Sequence, residues 1–472
     1  MRLFFLYLII FNLAISKNLS LHDYDNPSAS HILDSEIIGN TLIVSGMIGG
    51  IEFYDISNSE VLNHLTTLQL SGGGGGGQGG GTKPNCIVAL DNYAYVTTNR
   101  GLGVINITNP SNPQYLGIVS GTDSYILEDL DVHSNFLAVA AHEDGTLLFD
   151  ISNPSAPSFV SSIVGLNVWT VHFSDSYLYI GSQNLLNIYE GITDSFGDIL
   201  AYDFKLNIDL GNSIKDIETA HYGNYIFVAL GSDGVALIDY IAQTNDYEIL
   251  GMYNTSALAN KIDFMEDIVF AQRLAVSDWD DVEILEWDGQ NLNLVGFKNT
   301  TRRTMAVATK NDYIYSAEWN SLQILEYGEI DGPDVDLNMY ELNYPYVLSG
   351  ESYNLSLEVT NNGNQILNIV DAYTTNNEFS YSELNDLNPG ESQIVDITYT
   401  ANSDNASGSY RIFSNDEDES EIICETNGNI NGANIGDFAP DFSLDIIGNG
   451  NGQFTLSDYD GQIIVVAFFA PN

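Results

Sequence analysis

The residues able to do chemistry in this sequence are carboxylates, histidines and two cysteines. Acidic residues dominate, with 64 Asp and Glu against 13 Lys and Arg. The cysteines are Cys86, within N-C-I-V, and Cys424, within I-I-C-E. Each lies in an apolar segment typical of a strand, which favours a buried thiol over a redox centre. Two cysteines also exclude a disulfide-dense scaffold.

The seven histidines form no recognisable metal or catalytic pattern. Neither the H-E-x-x-H spacing of a zinc site nor the spacing of an EF-hand occurs in the sequence. Three of them precede aromatic strand starts at different distances, so they share no position in the repeat described below. We interpret the histidines as hydrogen-bonded structural or surface residues; they are His22, His31, His64, His133, His142, His172 and His221.

Two acidic clusters and one glycine-rich run need a separate interpretation. The clusters Asp278–Asp281 and Asp416–Glu419 could bind divalent cations loosely, but a solvated face that keeps the protein soluble is the favoured interpretation. The run Ser71–Lys83 lacks the G-x-x-x-x-G-K-[ST] order of a phosphate loop and is interpreted as a flexible insertion. The sequence therefore predicts no catalytic, cofactor-binding or metal-binding residue and no cofactor.

The net charge of -51 excludes several classes of partner. A nucleic-acid binder needs clustered Lys and Arg to neutralise phosphates, and no basic residue lies between Arg100 and Lys205. An anionic membrane surface would repel the chain for the same reason. Hydrophobic residues make up 44% of the sequence, which is enough for packed cores. An unidentified protein or glycan remains as the expected partner.

The first 16 residues, MRLFFLYLIIFNLAIS, have the pattern of a secretory signal peptide. Arg2 precedes an apolar run, and the small residues Ala14 and Ser16 form the expected cleavage site. The alternative is a retained membrane anchor, but the run is shorter than the roughly 20 residues that span a bilayer. We therefore predict an extracytoplasmic protein (periplasmic, cell-surface or secreted) without membrane insertion after cleavage.

One pattern recurs through the first two thirds of the chain: an apolar strand, a turn, and a second apolar strand that often ends in D-I-S-N-P. The clearest copies are GLGVINITNPSNP from Gly101 and GTLLFDISNPSAP from Gly145. A period of about 45 residues with three or four strands is typical of a β-propeller blade. Seven copies predict a seven-bladed propeller over residues 20–330; they are anchored at Ile51, Leu102, Thr146, Leu185, Val235, Val282 and Leu322.

Those two copies resemble the LVIVD repeat of extracytoplasmic bacterial β-propeller proteins. The resemblance extends over about residues 35–330 and is weaker in the fourth to seventh copies, which lack the D-I-S-N-P turn. It implies a surface-associated module without an established reaction. It therefore supports the fold more than any chemistry.

A second domain is predicted over residues 334–430, after the linker Gly328–Asp334. Short alternating strands such as Tyr353-x-Leu355-x-Leu357-x-Val359 are typical of a β-sandwich. The segments VTNNGNQILNI and LNPGESQIVDITYT resemble bacterial immunoglobulin-like domains found beside cell-surface and redox modules. That resemblance implies a spacing or adhesive role.

The last segment, residues 435–472, resembles the opening of the redoxin class of thioredoxin-like domains, which includes peroxiredoxins and thiol-disulfide oxidoreductases. In that class a buried strand delivers a reactive cysteine to a helix N-terminus, where a thiolate is stabilised. By the family's spacing this cysteine would fall at or beyond Asn472. The elements that carry the resemblance are Gly436, Ala439–Phe442, Leu444, Leu456–Tyr459, Gly461 and Ile463–Phe469.

Three explanations of that segment remain open: a fragment of a longer reading frame, a degenerate remnant, or chance similarity. The predicted fold is therefore mainly β, a seven-bladed propeller followed by an immunoglobulin-like sandwich and an incomplete thioredoxin-like α/β segment. The predicted function is an exported thiol-dependent oxidoreductase whose catalytic cysteine lies beyond this chain, with the propeller as a docking module. The alternative is a non-enzymatic surface or secreted binding protein that uses the propeller mouth.

Overall fold

A computed structural model describes residues 18–70, 81–174, 176–193, 199–220, 225–265, 272–300, 302–328, 332–402, 405–416, 419–429, 443–445 and 453–455. The described residues form strands and no helix, which confirms the mainly-β prediction. Two compact units divide the chain, Met1–Asp331 and Gly332–Asn472. The predicted signal peptide (residues 1–16) and a strand predicted at Ile268–Ala271 lie outside the described residues. None of the described residues belongs to a helix capable of spanning a membrane.

The described part of the first unit contains seven antiparallel sheets of four strands. We number the sheets 1 to 7 in the order in which their second strands occur in the chain. In sheets 1 to 6 the strands lie side by side in the same order as in the sequence. After β1 (Asn18–Asp25), sheet 1 consists of β2 (Ser30–Ile38), β3 (Thr41–Ile48), β4 (Gly50–Asp55) and β5 (Asn63–Leu68). Sheet 2 consists of β6 (Pro84–Leu90), β7 (Tyr93–Thr98), β8 (Gly101–Asn106) and β9 (Gln114–Ile118), and sheet 3 of β10 (Leu130–His133), β11 (Phe136–Ala140), β12 (Thr146–Asp150) and β13 (Ser158–Ile163).

Sheets 4 to 6 repeat the same arrangement with longer outer strands. Sheet 4 consists of β14 (Val168–Ser174), β15 (Tyr177–Ser182), β16 (Leu185–Thr193) and β17 (Ile199–Asp209). Sheet 5 consists of β18 (Asp216–Thr219), β19 (Tyr225–Ala229), β20 (Val235–Ile241) and β21 (Asp246–Tyr253), and sheet 6 of β22 (Lys261–Phe264), β23 (Gln272–Ser277), β24 (Asp281–Trp287) and β25 (Leu292–Asn299).

Sheet 7 is assembled from both ends of the unit. Three of its strands are consecutive, and its outer strand is the N-terminal β1, which pairs antiparallel with β28 (Leu322–Gly328). In this pairing Leu19 lies opposite Tyr327 and Leu21 opposite Leu325. The consecutive strands of sheet 7 are β26 (Thr304–Lys310), β27 (Tyr313–Glu318) and β28 (Leu322–Gly328).

The repeated sequence copies form the second and third strands of each sheet, because their apolar runs are buried on both faces. In β3, Ile43 packs towards sheet 2 while Val44 packs towards sheet 7. This two-sided burial explains why the runs are continuously apolar rather than alternating. Each described core cluster of the first unit joins two sheets that follow each other in the chain, except one that joins sheets 7 and 1.

The turn after the third strand explains the D-I-S-N motif of the repeat. The side chain of Asp55 accepts a hydrogen bond from the Ser57 N–H at 2.9 Å, and Asp150 accepts one from the Ser152 N–H at 2.7 Å. The bond from the Ser57 N–H lowers the pKa of Asp55, and bonds from the Ser152 hydroxyl and N–H lower the pKa of Asp150, in both cases below the ordinary value. The short acidic side chain therefore fixes the turn at the end of the strand.

A glycine begins the third strand in several copies because the fourth strand passes close to its α-carbon. Gly145 has a φ of +83°, and a Cβ built there would overlap the carbonyl oxygen of Ile163. We expect Gly145→Ala to destabilise the first unit by about 3 kcal/mol, because left-handed strain adds to a steric clash. Denaturant unfolding followed by tryptophan fluorescence measures the loss, since the chain's 4 tryptophans all lie in this unit.

Gly165 provides the matched control for this substitution. Its φ of +88° is nearly the same, but a Cβ there would meet nothing within 4 Å. Gly165→Ala should therefore cost only the conformational strain, about 1–2 kcal/mol. Equal losses in the two variants would show that the close approach at Gly145 does not determine the choice of glycine.

The described part of the second unit contains two four-stranded sheets that share one hydrophobic core. Val359 and Val395 belong to one sheet, Ile412 and Cys424 to the other, and all four side chains are buried in the same cluster. The strands of this unit are β29 (Val335–Leu337), β30 (Glu341–Asn343), β31 (Ser352–Asn361), β32 (Ile369–Thr374), β33 (Phe379–Tyr381), β34 (Ser392–Thr400), β35 (Ala406–Ser414) and β36 (Glu421–Gly428). The first sheet has the order β29-β31-β34-β33, and the second has the order β30-β36-β35-β32. Strand β30 is parallel to β36.

Little of residues 435–472 is described. Within it the short strands β37 (Ser443–Asp445) and β38 (Gln453–Thr455) pair antiparallel. The other residues of the predicted redoxin-like segment, including Ile463–Phe469, lie outside the described residues.

Candidate functional site

The first strands of all seven sheets line one channel in the first unit. Its volume is 670 Å³, and its wall contains side chains from β2, β6, β10, β14, β18, β22 and β26 together with Asp129 just before β10. We refer to it as the central channel. Because each first strand is the edge of its sheet, its outward N–H groups need partners other than a neighbouring strand of that sheet.

Carboxylates of one sheet supply those partners for the next sheet. Asp34 accepts a hydrogen bond from the Ile87 N–H at 2.8 Å, so sheet 1 caps sheet 2. Asp129 accepts from the Val171 N–H at 3.2 Å, and Asp216 from the Ile262 N–H at 2.9 Å. These acidic residues therefore provide hydrogen-bond acceptors for the N–H groups of the edge strands. Because the edge strands all face the channel, the carboxylates are brought together in its wall.

The carboxylates occupy two levels, because residues i and i+2 of a strand point to the same face. The first level contains Asp34, Asp129 and Asp216, and the second contains Glu36, Asp131, Glu218 and Asp263. In sheet 6, Lys261 takes the first-level position, two residues before Asp263.

The ammonium group of Lys261 lies among the first-level carboxylates and offsets part of their negative charge. Its Nζ lies 3.2 Å from Asp129 Oδ1 and 3.4 Å from Asp216 Oδ1. Burial alone would lower the pKa of this lysine, but the attraction of the two carboxylates outweighs burial and keeps the pKa well above its ordinary value. Burial raises the pKa of Asp34 to about 6 and of Asp216 to about 7, against the opposing effect of the Lys261 charge.

The second level contains four carboxylates close enough to repel one another. Burial raises the pKa of Glu36 and Glu218 well above the ordinary value, and Asp263 and Asp131 raise both further. Burial likewise raises the pKa of Asp131 to about 7. The remaining lysine of the channel, Lys310, donates to the Gly39 carbonyl at 2.9 Å and to Asn40 Oδ1 at 2.6 Å. The second level thus groups four carboxyl groups, and burial favours the protonated form of Glu36, Asp131 and Glu218 in the absence of a bound cation.

Two histidines, His133 and His172, also line the channel, on neighbouring sheets. His172 Nε2 lies 3.0 Å from Thr219 Oγ1, and its Nδ1 lies 3.5 Å from Asp131 Oδ2. Burial lowers the pKa of His172 to about 4, so the ring is neutral at pH 7. The sequence interpretation of a hydrogen-bonded structural histidine describes His172, while its position at the channel was not anticipated. His221 lies outside the described residues.

Both cysteines are free and buried. Neither has the surroundings that stabilise a reactive thiolate. Burial raises the pKa of Cys86 well above the ordinary value and that of Cys424 to about 12. Because the thiolate is the nucleophile, neither thiol is activated. The interpretation of both residues as buried thiols is confirmed.

The interpretation of the two acidic clusters as solvated faces is wrong for Asp278, Asp281 and Asp416, whereas Asp280 is exposed and Glu419 is half-buried. Asp278 and Asp281 are 0% and 1% exposed, and Asp416 is 1% exposed. Backbone N–H groups surround them: Ala257 donates to Asp278 at 2.6 Å, and Val335 donates to Asp416 at 2.8 Å. Charge runs in a sequence do not reveal whether a turn folds them inward. Glu417 and Asp418 lie outside the described residues.

Sequence reasoning did not identify the first strands as part of the repeat, although it placed Cys86 in a strand, and it therefore missed the central channel. Three of the first strands, β10, β18 and β22, have 4 residues each and include polar side chains, so they lack the apolar signal of the second and third strands. One signal was available: Asp34-Ser35-Glu36, Asp129-Leu130-Asp131 and Asp216-Ile217-Glu218 share a D-x-[DE] pattern shortly before the next strand. No single copy is distinctive, and only their position in the repeat unites them.

Comparison with known proteins agrees with this architecture. The family model described as "LVIVD repeat" matches residues 84–120 and 127–164, which correspond to sheets 2 and 3. The resemblance to that repeat is therefore confirmed in these two copies. Together with the repeated four-stranded sheets, it defines a β-propeller-like repeat protein.

Among the solved structures similar to the chain is the crystal structure of the computationally designed Ika8 protein. The identity is 14%, and the match covers 64% of this chain and 98% of that chain with a TM-score of 0.44. No curated protein matches the chain.

Proposed function

We propose that residues 18–328 form a closed seven-bladed β-propeller. The core cluster between sheets 7 and 1, and the pairing of β1 with β28, support closure. The two sheets of the second unit, with their shared core, support the proposal of an immunoglobulin-like sandwich. The function proposed below depends on the central channel and not on the name of the second unit.

The chain acts as a non-enzymatic binding protein whose central channel receives ammonium groups, supplied by lysine side chains of a protein partner. The observation that carries this proposal is Lys261, whose ammonium group is held by Asp129 and Asp216 inside the channel. The same wall has a second level of carboxylates that Lys261 does not occupy. A ligand ammonium at that level would be stabilised by charge-assisted hydrogen bonds.

The lining favours a cationic ligand over the other expected partner, a glycan. Carbohydrate sites commonly offer aromatic surfaces, whereas the described lining contains Phe173, Phe264 and the two histidines among many charged side chains. Complementary charge would also accelerate the encounter with a basic partner, given the net charge of -51. Export, which the first 16 residues predict, would give the channel access to extracytoplasmic partners.

Binding of a tetralysine peptide, measured by calorimetry at low and physiological salt, tests this function. We expect saturable binding that weakens at least about tenfold in Glu36→Gln/Glu218→Gln, a loss of about 1.4 kcal/mol. The matched control is Asp246→Asn/Glu248→Gln, which removes the same charge from exposed positions of β21. Equal weakening in both variants, or no saturable binding by the unaltered chain, would contradict a role for the channel.

Thiol-dependent oxidoreductase chemistry remains a second proposal, and it concerns a longer gene product. It is favoured by the redoxin-like segment 435–472, with the propeller as a docking module. The sequence encoded after Asn472 tests it: a cysteine within a few residues, especially in C-x-x-C, supports the proposal, and its absence there contradicts it. The buried thiols of Cys86 and Cys424 do not contribute to this chemistry.

A further inference from the structure

Three carboxylates in sheet 6 form a buried cluster that does not line the central channel. Asp278 follows β23, and Asp281 and Glu283 lie on β24. One oxygen of each lies within 4.8 Å of the corresponding oxygens of the other two. Their exposed fractions are 0%, 1% and 2%, so the cluster is closed off from bulk water.

The loop before sheet 6 encloses this cluster through Ser256. Its hydroxyl lies 2.8 Å from Asp281 Oδ2 and 3.2 Å from Asp278 Oδ2, and its N–H donates to Glu283 Oε1 at 3.1 Å. These bonds leave two oxygens, Asp281 Oδ1 and Glu283 Oε2, buried and without a hydrogen-bond partner among the described residues. A buried carboxylate oxygen without a partner is costly unless a cation or a proton satisfies it.

Glu52 in sheet 1 provides a comparison at an equivalent strand position. It is 1% exposed, as buried as the carboxylates of sheet 6. The Ser28 hydroxyl donates to its Oε1 at 2.5 Å, the Ala29 N–H donates to the same oxygen at 2.7 Å, and the Tyr54 hydroxyl donates to Oε2 at 2.6 Å. Both oxygens of Glu52 are therefore satisfied by the protein. Sheet 6 differs from this arrangement, because it has two additional acids and two oxygens without a hydrogen-bond partner among the described residues.

We propose that Asp278, Asp281 and Glu283 bind a divalent cation, with calcium as the preferred ion. Ca²⁺ takes oxygen ligands at about 2.3–2.6 Å, so it can bridge oxygens up to about 5 Å apart. Mg²⁺ requires about 2.0–2.1 Å and near-ideal octahedral geometry, which suits a closely spaced set better. The cation neutralises three carboxylates that lie together in a low-dielectric environment.

The competing explanation is that the cluster holds protons in place of a cation. Burial and the neighbouring Asp278 raise the pKa of Asp281 to about 9, and burial raises the pKa of Glu283 to about 7. Protonated acids could thus satisfy one another in the absence of metal. The two explanations differ in a measurable way, because only the first predicts a specific cation affinity.

Terbium luminescence on the full chain separates them. Tb³⁺ replaces Ca²⁺ at oxygen sites, and Trp279 lies in the same loop as an energy donor. We expect saturable, tryptophan-sensitised emission at 150 mM NaCl that Ca²⁺ reverses at lower concentration than Mg²⁺. In Asp281→Asn/Glu283→Gln the affinity for Tb³⁺ should fall at least about 100-fold.

Two control variants locate the signal. Glu52→Gln removes an equally buried carboxylate from sheet 1, and Glu36→Gln/Glu218→Gln removes two from the central channel; both should retain the unaltered affinity. Unaltered affinity in Asp281→Asn/Glu283→Gln, or loss in the channel variant instead, would overturn the assignment. If that sheet 6 variant fails to fold, the melting temperature of the unaltered chain decides: a rise with Ca²⁺ that exceeds the rise with Mg²⁺ supports the site, and equal rises or none contradict it.

Discussion

Leu19→Asp is expected to destabilise the first unit by about 5 kcal/mol. Truncating a buried leucine costs about 2–5 kcal/mol, and a buried unpaired carboxylate adds to that cost. Leu19 is 0% exposed and packs with Leu325 and Tyr327 in the cluster that joins sheets 6 and 7. A stability of about 5–15 kcal/mol is typical of a domain, so the substitution should leave little of it.

The reason for so large an effect lies in the position of β1. This strand completes sheet 7, whose other three strands come from the opposite end of the unit. If β1 detaches, β28 becomes an unpaired edge, and the contact that closes the proposed ring weakens at the same time. A single side chain therefore affects both the sheet and its neighbours.

Guanidinium unfolding followed by tryptophan fluorescence measures this prediction. Tyr24→Asp is the matched control, because Tyr24 lies on the same strand and is 45% exposed. The control should change stability by no more than about 0.5 kcal/mol. A similar small change in Leu19→Asp would show that β1 does not contribute to the first unit in solution.

Lys261→Met is expected to cost about 3–5 kcal/mol at pH 8, because it leaves buried carboxylates without their cation. The side chains of Asp129 and Asp216 are each only 10% exposed, so water solvates their charges poorly. The methionine retains most of the volume of the lysine stem. The loss therefore reports charge rather than a cavity.

The penalty should shrink as the pH falls towards 5. In the unaltered chain the pKa of Asp216 is about 7 and that of Asp34 about 6, both above the value in the unfolded state. A folded-state pKa that is raised means stability that is fully present below about pH 4 and is lost as the pH rises through the folded value. Removing Lys261 raises both pKa values further, because its charge lowers them. At pH 5 the acids are therefore protonated in the variant, and the loss of the lysine costs less folding free energy.

Denaturant unfolding of the variant at pH 5 and pH 8 measures this difference. Lys205→Met provides the control, because Lys205 forms an ion pair of 2.8 Å with Glu190 at the surface. Exposed pairs contribute at most about 1 kcal/mol, with little dependence on pH in this range. A penalty for Lys261→Met that is the same at both pH values would mean that Asp34 and Asp216 do not take up protons.

Prediction from the sequence succeeded where the signal is local. The strands of each repeat, such as β7 and β11, could be recognised because both faces of an apolar run are buried and a glycine or Asx turn follows. The same local signal identified the LVIVD repeat in residues 84–120 and 127–164. The buried state of Cys86 and Cys424 also followed from the apolar residues that surround them.

Prediction failed where function depends on residues that are distant in the chain. Asp129 and Lys261 are 132 positions apart, yet their side chains form an ion pair. Asp278 and Asp281 have the composition of a solvated turn, yet both are buried, and Ser256 from the preceding loop hydrogen-bonds to both. The engagement of β1 with β28 joins residues about 300 positions apart without any complementary motif.

The sequence by itself determined the strand content, the repeat and the acidic character of this protein, because each is a property of short segments or of composition. Only the tertiary structure decided which carboxylates converge on the central channel, which are buried in sheet 6, and which strand completes sheet 7. The physical reason is that the charge and burial of a side chain depend on neighbours supplied by other sheets. Those neighbours are determined by how successive sheets pack, and no single repeat carries that information.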